Sequence, residues 1–344
     1  MDFRAYPKID LHLHLDGAVR TRTILEQAER LRVRLPARTV HGLEKHVTVG
    51  RDCRSLRDFL DRFDVFLPAL RSAESMERIA YELCEDQARD GVVYFETRFA
   101  PLLQDSGAFA MEDSVEAALS GLRRGERDFG VRWGMILCCL RQENPRLSLN
   151  TVGVARAFRT RGVVGVDLAG DEAAPASSHA EAFRRARRAD LPITIHAGEA
   201  GPAENIREAI EVLGASRIGH GTKLADDPRL VEEVARRGIA IEVCLTSNLQ
   251  TRSVSSLSRH PFARLRKAGV RVTINTDDPA ISRTTLSREY ARAAKTFGLT
   301  RRDFGELYEN SVRAAFVSEP MRRWLRYRAS TKSTTLRTSS QSPV

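Results

Sequence analysis

The sequence predicts an α/β protein, a single (β/α)8 TIM barrel with a helical insertion after the first strand. A chain of 344 residues is long enough for one barrel or for two average domains. Eight short runs rich in Val, Ile or aromatic residues are mostly followed by amphipathic stretches, an alternation typical of parallel strands joined by helices. An open, doubly wound sheet is the alternative, but its GxGxxG fingerprint after the first strand is missing.

The eight predicted strands span residues 9–15, 92–99, 132–140, 163–169, 192–196, 217–220, 238–245 and 270–276. Amphipathic segments such as 178–189 and 228–237 lie between the later strands. The first crossover, residues 17–90, is unusually long and contains an amphipathic piece at 58–66. We therefore expect this crossover to supply a cap over the barrel as well as a return helix.

The composition predicts one globular unit with a short tail. Hydrophobic residues make up 42% and charged residues 29% of the chain, values that exclude a collagen-like, coiled-coil or wholly disordered protein. The last segment, 329–344, is rich in Ser, Thr, Arg, Gln and Pro, and it buries too little apolar surface to offset the entropy lost on ordering. We therefore predict a barrel domain at 1–328 and a disordered tail at 329–344.

Charge and cysteine content restrict the partners and the compartment. The net charge is +10, but the arginines are spread over the helical segments and no nucleic-acid-binding module is recognisable, so no specific nucleic-acid partner is predicted. The most apolar stretches, such as 134–140, are about a third of the roughly 20 residues that cross a bilayer, so we expect no membrane span. Five cysteines without a CxxC spacing, in a long chain with no apolar signal segment, predict the reducing cytoplasm.

The first predicted strand carries two histidines on one face. Successive side chains of a strand point to opposite sides, so the leucines of IDLHLHLD share one face and the polar residues share the other; these are Asp10, His12, His14 and Asp16. A single buried histidine is more often a hydrogen-bonded core residue. Two histidines on one strand face, flanked by carboxylates, favour a metal site, because imidazole is a common metal ligand.

Three later strands also end on polar side chains. His196 ends one strand with Glu199 just beyond it, His220 ends the next, and Asp277 and Asp278 follow the last. Singly, the aspartates could cap a helix and His220 could be a satisfied loop histidine. In a barrel, however, the carboxyl ends of all strands meet at one mouth, where catalytic groups lie. Taken together, the polar side chains at these strand ends predict a metal-dependent active site.

The type of ligand predicts the metal. Three imidazoles and one carboxylate suit Zn²⁺ with an open position for water, and the predicted ligands are His12, His14, His196 and Asp277. Zinc lowers the pKa of its water from 15.7 to about 7, which makes hydroxide available at neutral pH. The fourth strand, 163–169, has no lysine to bridge two ions, so one zinc ion is predicted.

Seven motifs resemble the adenosine deaminase family over nearly the whole chain, from residue 7 to about 328. They are PKIDLHLHLDGA at 7–18, SLRDFLDRF at 55–63, VDLAGDE at 166–172, HAGEAG at 196–201, RIGHGT at 217–222, SNLQT at 247–251 and TINTDDPAIS at 273–282. The cytidine-type zinc deaminases differ, because their HxE and PCxxC pattern is missing here.

The resemblance implies hydrolytic deamination of adenosine, and of 2′-deoxyadenosine, to inosine and ammonia. By this resemblance Glu199 protonates purine N1 and therefore needs a raised pKa. His220 orients the zinc-bound water and helps to deprotonate it, and Asp278 hydrogen-bonds the attacking hydroxide. The implied substrate contacts are His14, Asp16 at the ribose 5′-hydroxyl, Leu56 and Phe59 in an apolar lid, the Gly170 backbone at purine N3, and Asp278.

Other members of this fold remain as alternatives. Adenine deaminases carry Glu at the position of Asp16 and RIDHG in place of RIGHG, so Asp16 and Gly219 favour a nucleoside over a free base. Aminodeoxyfutalosine deaminases share the chemistry with a different 5′ group. A catalytically silent nucleoside-binding barrel is the alternative that is not an enzyme, and the intact polar set argues against it. The chain also has Leu245 where the family often has Pro.

Overall fold

Eight parallel β-strands form the centre of the protein in a computed structural model, which describes residues 2–50 and 53–338. The strands are β1 Lys8–His14, β2 Val92–Phe99, β3 Arg132–Leu140, β4 Val163–Ala169, β5 Thr194–Ala197, β6 Arg217–His220, β7 Ala240–Val243 and β8 Arg271–Ile274. Each overlaps one of the runs predicted from the sequence. The predicted α/β fold class is therefore confirmed.

Two four-stranded sheets close into one barrel. Strands β1 to β4 pair in order, and β5 to β8 pair in order. A parallel bridge between Val166 and Ile193 connects β4 to β5, and a second bridge between Leu13 and Asp277 connects β1 to the chain after β8. At this second seam the His14 amide donates to the Asp277 carbonyl at 2.8 Å. All carboxyl ends of the strands therefore surround one mouth.

Helices surround the barrel and cover that mouth. They are α1 Thr21–Arg30, α2 Val40–Val47, α3 Leu56–Asp64, α4 Ala73–Arg89, α5 Met111–Phe129, α6 Pro145–Phe158, α7 Ala180–Arg188, α8 Ala203–Glu211, α9 Pro228–Arg237, α10 Leu245–Gln250, α11 Phe262–Lys267, α12 Leu286–Phe297, α13 Arg301–Ala314 and α14 Glu319–Thr338. Four of them lie in the first crossover, as the predicted insertion requires. Helix α3 begins two residues before the predicted piece, because the Ser55 hydroxyl caps it by accepting from the Asp58 amide.

The end of the described chain differs from the predicted tail. Helix α14 continues to Thr338, so the first ten residues of the segment predicted to be disordered are helical. The helix is anchored upstream, where Leu325 is fully buried and its carbonyl accepts from the Tyr308 hydroxyl at 2.7 Å. Extending an anchored helix costs less than nucleating one. Residues 339–344 lie outside the described part of the chain, so disorder there and the boundary at 328 stay predictions.

Membrane crossing has no support among the described helices: none combines the length and the apolar composition of a bilayer span.

The barrel interior contains a network of buried ion pairs below the mouth. Arg217 Nη1 lies 2.6 Å from Glu96 Oε2, and its Nε lies 2.5 Å from Glu242 Oε1. Arg98 contacts Glu242 Oε2 at 3.0 Å and Asp167 Oδ2 at 3.1 Å. Burial alone would raise the pKa of Glu242, but Arg98 and Arg217 hold this pKa well below its usual range. The network stabilises the barrel only while every charge keeps its partner.

Removal of one guanidinium tests this dependence. Arg217→Ala removes the guanidinium partner of buried Glu96 and one of the two guanidinium partners of buried Glu242, so we expect the free energy of unfolding to fall by about 3–5 kcal/mol. The matched control is Arg237→Ala, which breaks a surface pair with Glu233 at 2.8 Å and should cost less than about 1 kcal/mol. Urea unfolding of both variants measures the difference, and equal losses would contradict the role given to the network.

Candidate active site

Five polar side chains that the sequence predicted at separate strand ends meet at the barrel mouth. His12 and His14 lie on β1, His196 on β5 and His220 on β6, while Asp277 follows β8. One ligand atom from each of His12, His196, His220 and Asp277 lies within 4.8 Å of the others. His14 joins this group, because its Nε2 lies 3.2 Å from His196 Nε2 and 3.4 Å from Asp277 Oδ1. We call these five residues the mouth cluster.

Two members of the mouth cluster have unusual backbone conformations. The φ angles of His220 and Asp277 are +62° and +67°, in the left-handed region that residues other than glycine rarely occupy. The barrel seam holds Asp277 in place, because its amide donates to the His12 carbonyl and its carbonyl accepts from the His14 amide, both at 2.8 Å. Strained backbone of this kind concentrates at functional sites, where surrounding contacts maintain it.

Buried carboxylates orient two of the imidazoles. Glu242 Oε2 lies 2.8 Å from His12 Nδ1, and Asp167 Oδ2 lies 2.9 Å from His196 Nδ1. An ionised carboxylate only accepts, so each Nδ1 carries the hydrogen and each Nε2 presents a lone pair to the mouth cluster. Sequence reasoning missed both carboxylates. The available signal was a single acid inside each of two otherwise apolar strands, VVGVDLA and AIEV.

The donor atoms of the mouth cluster fit a divalent cation. Within the described residues, His12 Nε2 and Asp277 Oδ1 are buried without a hydrogen-bond partner, although they lie 3.1 Å apart. Buried polar atoms without partners are costly, and a cation between them would satisfy both. Burial would raise the pKa of Asp277, but His220 and His12 hold it well below its usual range, so Asp277 is an anionic ligand candidate.

Two further acids beside the mouth cluster, Glu199 and Asp278, have raised pKa values. Burial, reinforced by the charge of Asp277, raises the pKa values of Glu199 and Asp278 well above the ordinary range. Glu199 Oε1 accepts from the Thr251 hydroxyl at 2.9 Å, and its Oε2 lies 3.5 Å from His220 Nε2. The raised pKa favours the protonated form of Glu199, the state that a proton donor needs.

Another carboxylate, that of Glu172, holds the loop that carries Glu199. Its Oε2 accepts from the amides of Glu199, Ala200 and Gly201 at 2.8, 2.5 and 2.7 Å, and its Oε1 accepts from the Gly198 amide at 2.6 Å. Consecutive amides that point at one anion form a nest. Glu172 lies in the VDLAGDE motif, yet sequence reasoning gave it no role, because its partners lie 26 to 29 residues away.

A cavity of about 210 Å³ opens from the mouth cluster. Its lining includes all the substrate contacts that the family resemblance implies, namely His14, Asp16, Leu56, Phe59, Gly170 and Asp278. Leu56 and Phe59 lie on α3, so this helix covers the cavity. Gly170 has a φ of +95°, and a Cβ there would lie 2.1 Å from Gln142 Oε1, so glycine is required. Leu245 is buried at the start of α10 and is not part of the described lining.

Comparison with known proteins identifies the family. The family model named adenosine deaminase matches residues 7–332. An adenosine deaminase from Clostridium botulinum is 38% identical over 327 residues, which cover 95% of this chain and 98% of that protein. The chain belongs to the adenosine deaminase family. It is therefore an enzyme of the hydrolase class in a metal-dependent family, which agrees with the donor set of the mouth cluster.

Solved structures similar to this family member share its fold over almost the full length. An adenine deaminase from Arthrobacter aurescens superposes with a TM-score of 0.88 at 28% identity, covering 96% of this chain and 99% of that one. An amidohydrolase from Burkholderia ambifaria with bound Zn gives 0.87 at 27%, covering 99% and 94%. The N6-methyl-AMP deaminase from Arabidopsis thaliana gives 0.86 at 30%, covering 97% and 98%. The fold therefore occurs with different purine substrates.

Replacing Glu172 tests its role in holding the loop. In Glu172→Gln one oxygen becomes an NH2 group that faces an amide donor, so the loop loses at least one hydrogen bond to a charged acceptor. We expect amide hydrogen exchange across 198–201 to become faster and turnover to fall about tenfold or more. Mass spectrometry of the peptide that spans the loop measures the exchange.

The matched control is Glu208→Gln. The Glu208 carboxylate also accepts from two amides, those of Ala176 and Ser177, at 3.2 and 3.0 Å, but it does not bond to the loop 198–201 in the described hydrogen bonds. Exchange across 198–201 should stay unchanged in this variant. If both variants exchanged alike at 198–201, the assignment of Glu172 to this loop would be wrong.

Proposed function

We propose that this enzyme deaminates adenosine and 2′-deoxyadenosine by hydrolysis, giving inosine and ammonia. The observation that carries the proposal is the position of the Glu199 carboxyl group, which lines the same cavity as the mouth cluster and whose pKa burial raises well above the ordinary range. The reaction needs a proton for the purine ring and an activated water for C6, and the cavity brings a proton donor and a metal-type donor set together. The names of the relatives agree with this reaction.

The metal in this proposal is one zinc ion held by His12, His14, His196 and Asp277. Three imidazoles and one carboxylate are a donor set that suits zinc, and a structural neighbour contains bound Zn. When bound, the ion supplies the Lewis acidity that makes water a nucleophile at neutral pH. Glu242 and Asp167 support this set by orienting the His12 and His196 rings.

The substrate in this proposal lies between Glu199 and the backbone of Gly170. Glu199 donates its proton to purine N1, which makes C6 electrophilic, and the Gly170 amide donates to N3. Asp278 Oδ1 is buried without a partner among the described protein atoms, so it can hydrogen-bond the water that attacks C6. Asp16, whose pKa burial raises to about 6, lies where the ribose 5′-hydroxyl would reach. Leu56 and Phe59 exclude bulk water.

The charges around the cavity favour a nucleoside over a nucleotide. Acidic side chains in the described lining, apart from those of the mouth cluster and its neighbours Glu199 and Asp278, are Asp16, Asp61, Asp64 and Asp171. Arg57 is the one arginine or lysine in that lining, and its Nε is already 3.1 Å from Asp61 Oδ1. A 5′-phosphate would meet like charges here, whereas a 5′-hydroxyl would not. This arrangement argues against AMP-type substrates such as that named for the Arabidopsis neighbour.

A free base is disfavoured by resemblance, because adenine deaminases carry Glu in place of Asp16 and Asp in place of Gly219. A Cβ on Gly219 would lie 2.8 Å from His12 Cε1, so the aspartate that replaces this glycine in the adenine deaminase motif would displace the His12 ring. Asp16 also lines the cavity. It would hydrogen-bond the ribose 5′-hydroxyl of a nucleoside, a group that adenine lacks. Aminodeoxyfutalosine remains the alternative substrate, because the cavity also has apolar lining at α3.

Ammonia release from five compounds tests the proposal. The zinc-loaded enzyme is compared with a chelator-treated sample on adenosine, 2′-deoxyadenosine, adenine, AMP and aminodeoxyfutalosine. We expect rapid, chelator-sensitive release from the two nucleosides and little from adenine or AMP. Release from aminodeoxyfutalosine alone would preserve the chemistry and overturn the substrate, whereas no release from any compound would favour a silent nucleoside-binding barrel. A role in purine salvage and a location in the cytoplasm stay predictions.

Glu199→Gln tests the proton donor. The amide keeps the shape of the side chain but cannot protonate N1, so kcat should fall by about 10²- to 10⁴-fold. Zinc content and the affinity for inosine should stay close to those of the unchanged enzyme. The control is Glu204→Gln, an exposed position on α8, which should keep full activity. A near-normal kcat in Glu199→Gln would rule out Glu199 as the donor.

The pH dependence of kcat should reveal the raised pKa of Glu199. Burial raises the pKa of Glu199, and the reaction requires the protonated acid. Activity should therefore persist through neutral pH and decline as the pH rises through the raised pKa. In Glu199→Gln the remaining activity should lack this alkaline decline. Rate measurements across a pH series check both curves, and an identical alkaline limb in the two proteins would assign the decline to another group.

A further inference from the structure

A chain of buried hydrogen bonds reaches the mouth cluster from behind His220. The backbone amide of Phe262 donates to His260 Nδ1 at 3.1 Å. His260 Nε2 lies 3.2 Å from Asn248 Oδ1, and Asn248 Nδ2 lies 2.9 Å from His220 Nδ1. The side chains of His260, Asn248 and His220 are all buried. The chain therefore connects α11 through α10 to the end of β6.

The backbone amide at the start of this chain determines its direction. An amide N–H can only donate, so His260 Nδ1 must carry a lone pair and the ring hydrogen must be on Nε2. Burial lowers the pKa of His260 to about 4, which agrees with a neutral ring. His260 Nε2–H then needs an acceptor, and the atom of Asn248 that faces it must be the carbonyl oxygen. The NH2 group of Asn248 consequently points at His220.

The same logic determines the tautomer of His220. The Asn248 NH2 group only donates, so His220 Nδ1 must accept, and a neutral His220 carries its hydrogen on Nε2. His220 Nε2 is the nitrogen that faces the mouth cluster and Glu199. His12 and His196 have the opposite arrangement, because carboxylates accept from their Nδ1 atoms. The cluster thus combines rings that present lone pairs with one ring that presents a hydrogen.

We propose that Asn248 and His260 are positioning residues that hold His220 as a hydrogen-bond donor to the cavity. This inference rests on the proposed function of the same site. In the role that the family resemblance implies for His220, this geometry supplies the orienting part, because the Nε2–H group donates to the oxygen of the attacking water.

The donated hydrogen bond has a catalytic consequence. The oxygen that attacks C6 gains negative charge as the new bond forms, and a preorganised donor in a buried site stabilises such charge. The donor is preorganised because every ring and amide behind it has a single hydrogen-bonding direction. A ring held the other way would present a lone pair and could not donate a hydrogen bond to this oxygen.

Nitrogen NMR of the histidine side chains tests the tautomer directly. Protein labelled with ¹⁵N at histidine is examined without metal and after zinc loading, with His220→Gln used only to assign the resonance. We expect His220 to be a neutral Nε2–H ring in both samples. A neutral Nδ1–H ring, or an Nε2 resonance that loses its hydrogen on zinc loading, would overturn the proposal. This reading uses the unchanged chain, so it does not depend on how any variant folds.

Asn248→Asp provides the second measurement. A carboxylate accepts from both neighbours, so His220 should convert to the Nδ1–H tautomer, and kcat should fall about 10²-fold with little change in KM. The control is Asn310→Asp on α13, where Asn310 Nδ2 donates to the Val272 carbonyl at 3.1 Å; its His220 signal should stay unchanged. If His220 converts to the Nδ1–H tautomer in Asn248→Asp but kcat stays normal, the proposed catalytic role of the His220 hydrogen bond is wrong. If the wild-type ring is Nε2–H but no purine is deaminated, the proposed function fails while the tautomer assignment stands.

Discussion

The active site depends on the buried ion pairs of the Arg98 guanidinium. This guanidinium binds Glu242 and Asp167 in the barrel interior, and these two carboxylates in turn orient His12 and His196. The desolvation of so many charges is offset only when each has its partner, so the barrel must close fully before the rings can be held. Arg98 thus connects the stability of the fold to the orientation of the His12 and His196 rings in the mouth cluster.

Exclusion of water moves the pKa values of neighbouring carboxyl groups apart. The pKa of Asp277 lies well below the ordinary range, whereas burial beside this residue raises the pKa values of Glu199 and Asp278 well above it. In bulk water all three would titrate at similar pH. Helix α3 closes the cavity above them, and the low-dielectric interior strengthens each interaction. One site therefore holds an anionic ligand and a proton donor made from the same chemical group.

The sequence predicted those features that repeat along the chain, and it missed those that depend on contacts between distant segments. Strand alternation predicted all eight strands, and polar residues at strand ends predicted the members of the mouth cluster. Glu172, Asn248 and His260 could not be assigned this way, because each acts on a segment made by another part of the barrel. The ends of elements depended on single caps, such as Ser55 at α3. The helix at 329–338 followed from an upstream anchor at Leu325, which composition does not reveal.

Asp277 belongs to the barrel seam and to the chemistry at once. Its backbone joins β1 to the chain after β8, and its carboxylate lies among donors from both four-stranded halves. Each half alone would present only part of the donor set, so the site exists only in the joined protein. A fragment that encodes one half would carry an incomplete donor set, so the smallest part of the chain that can form the complete site spans both halves.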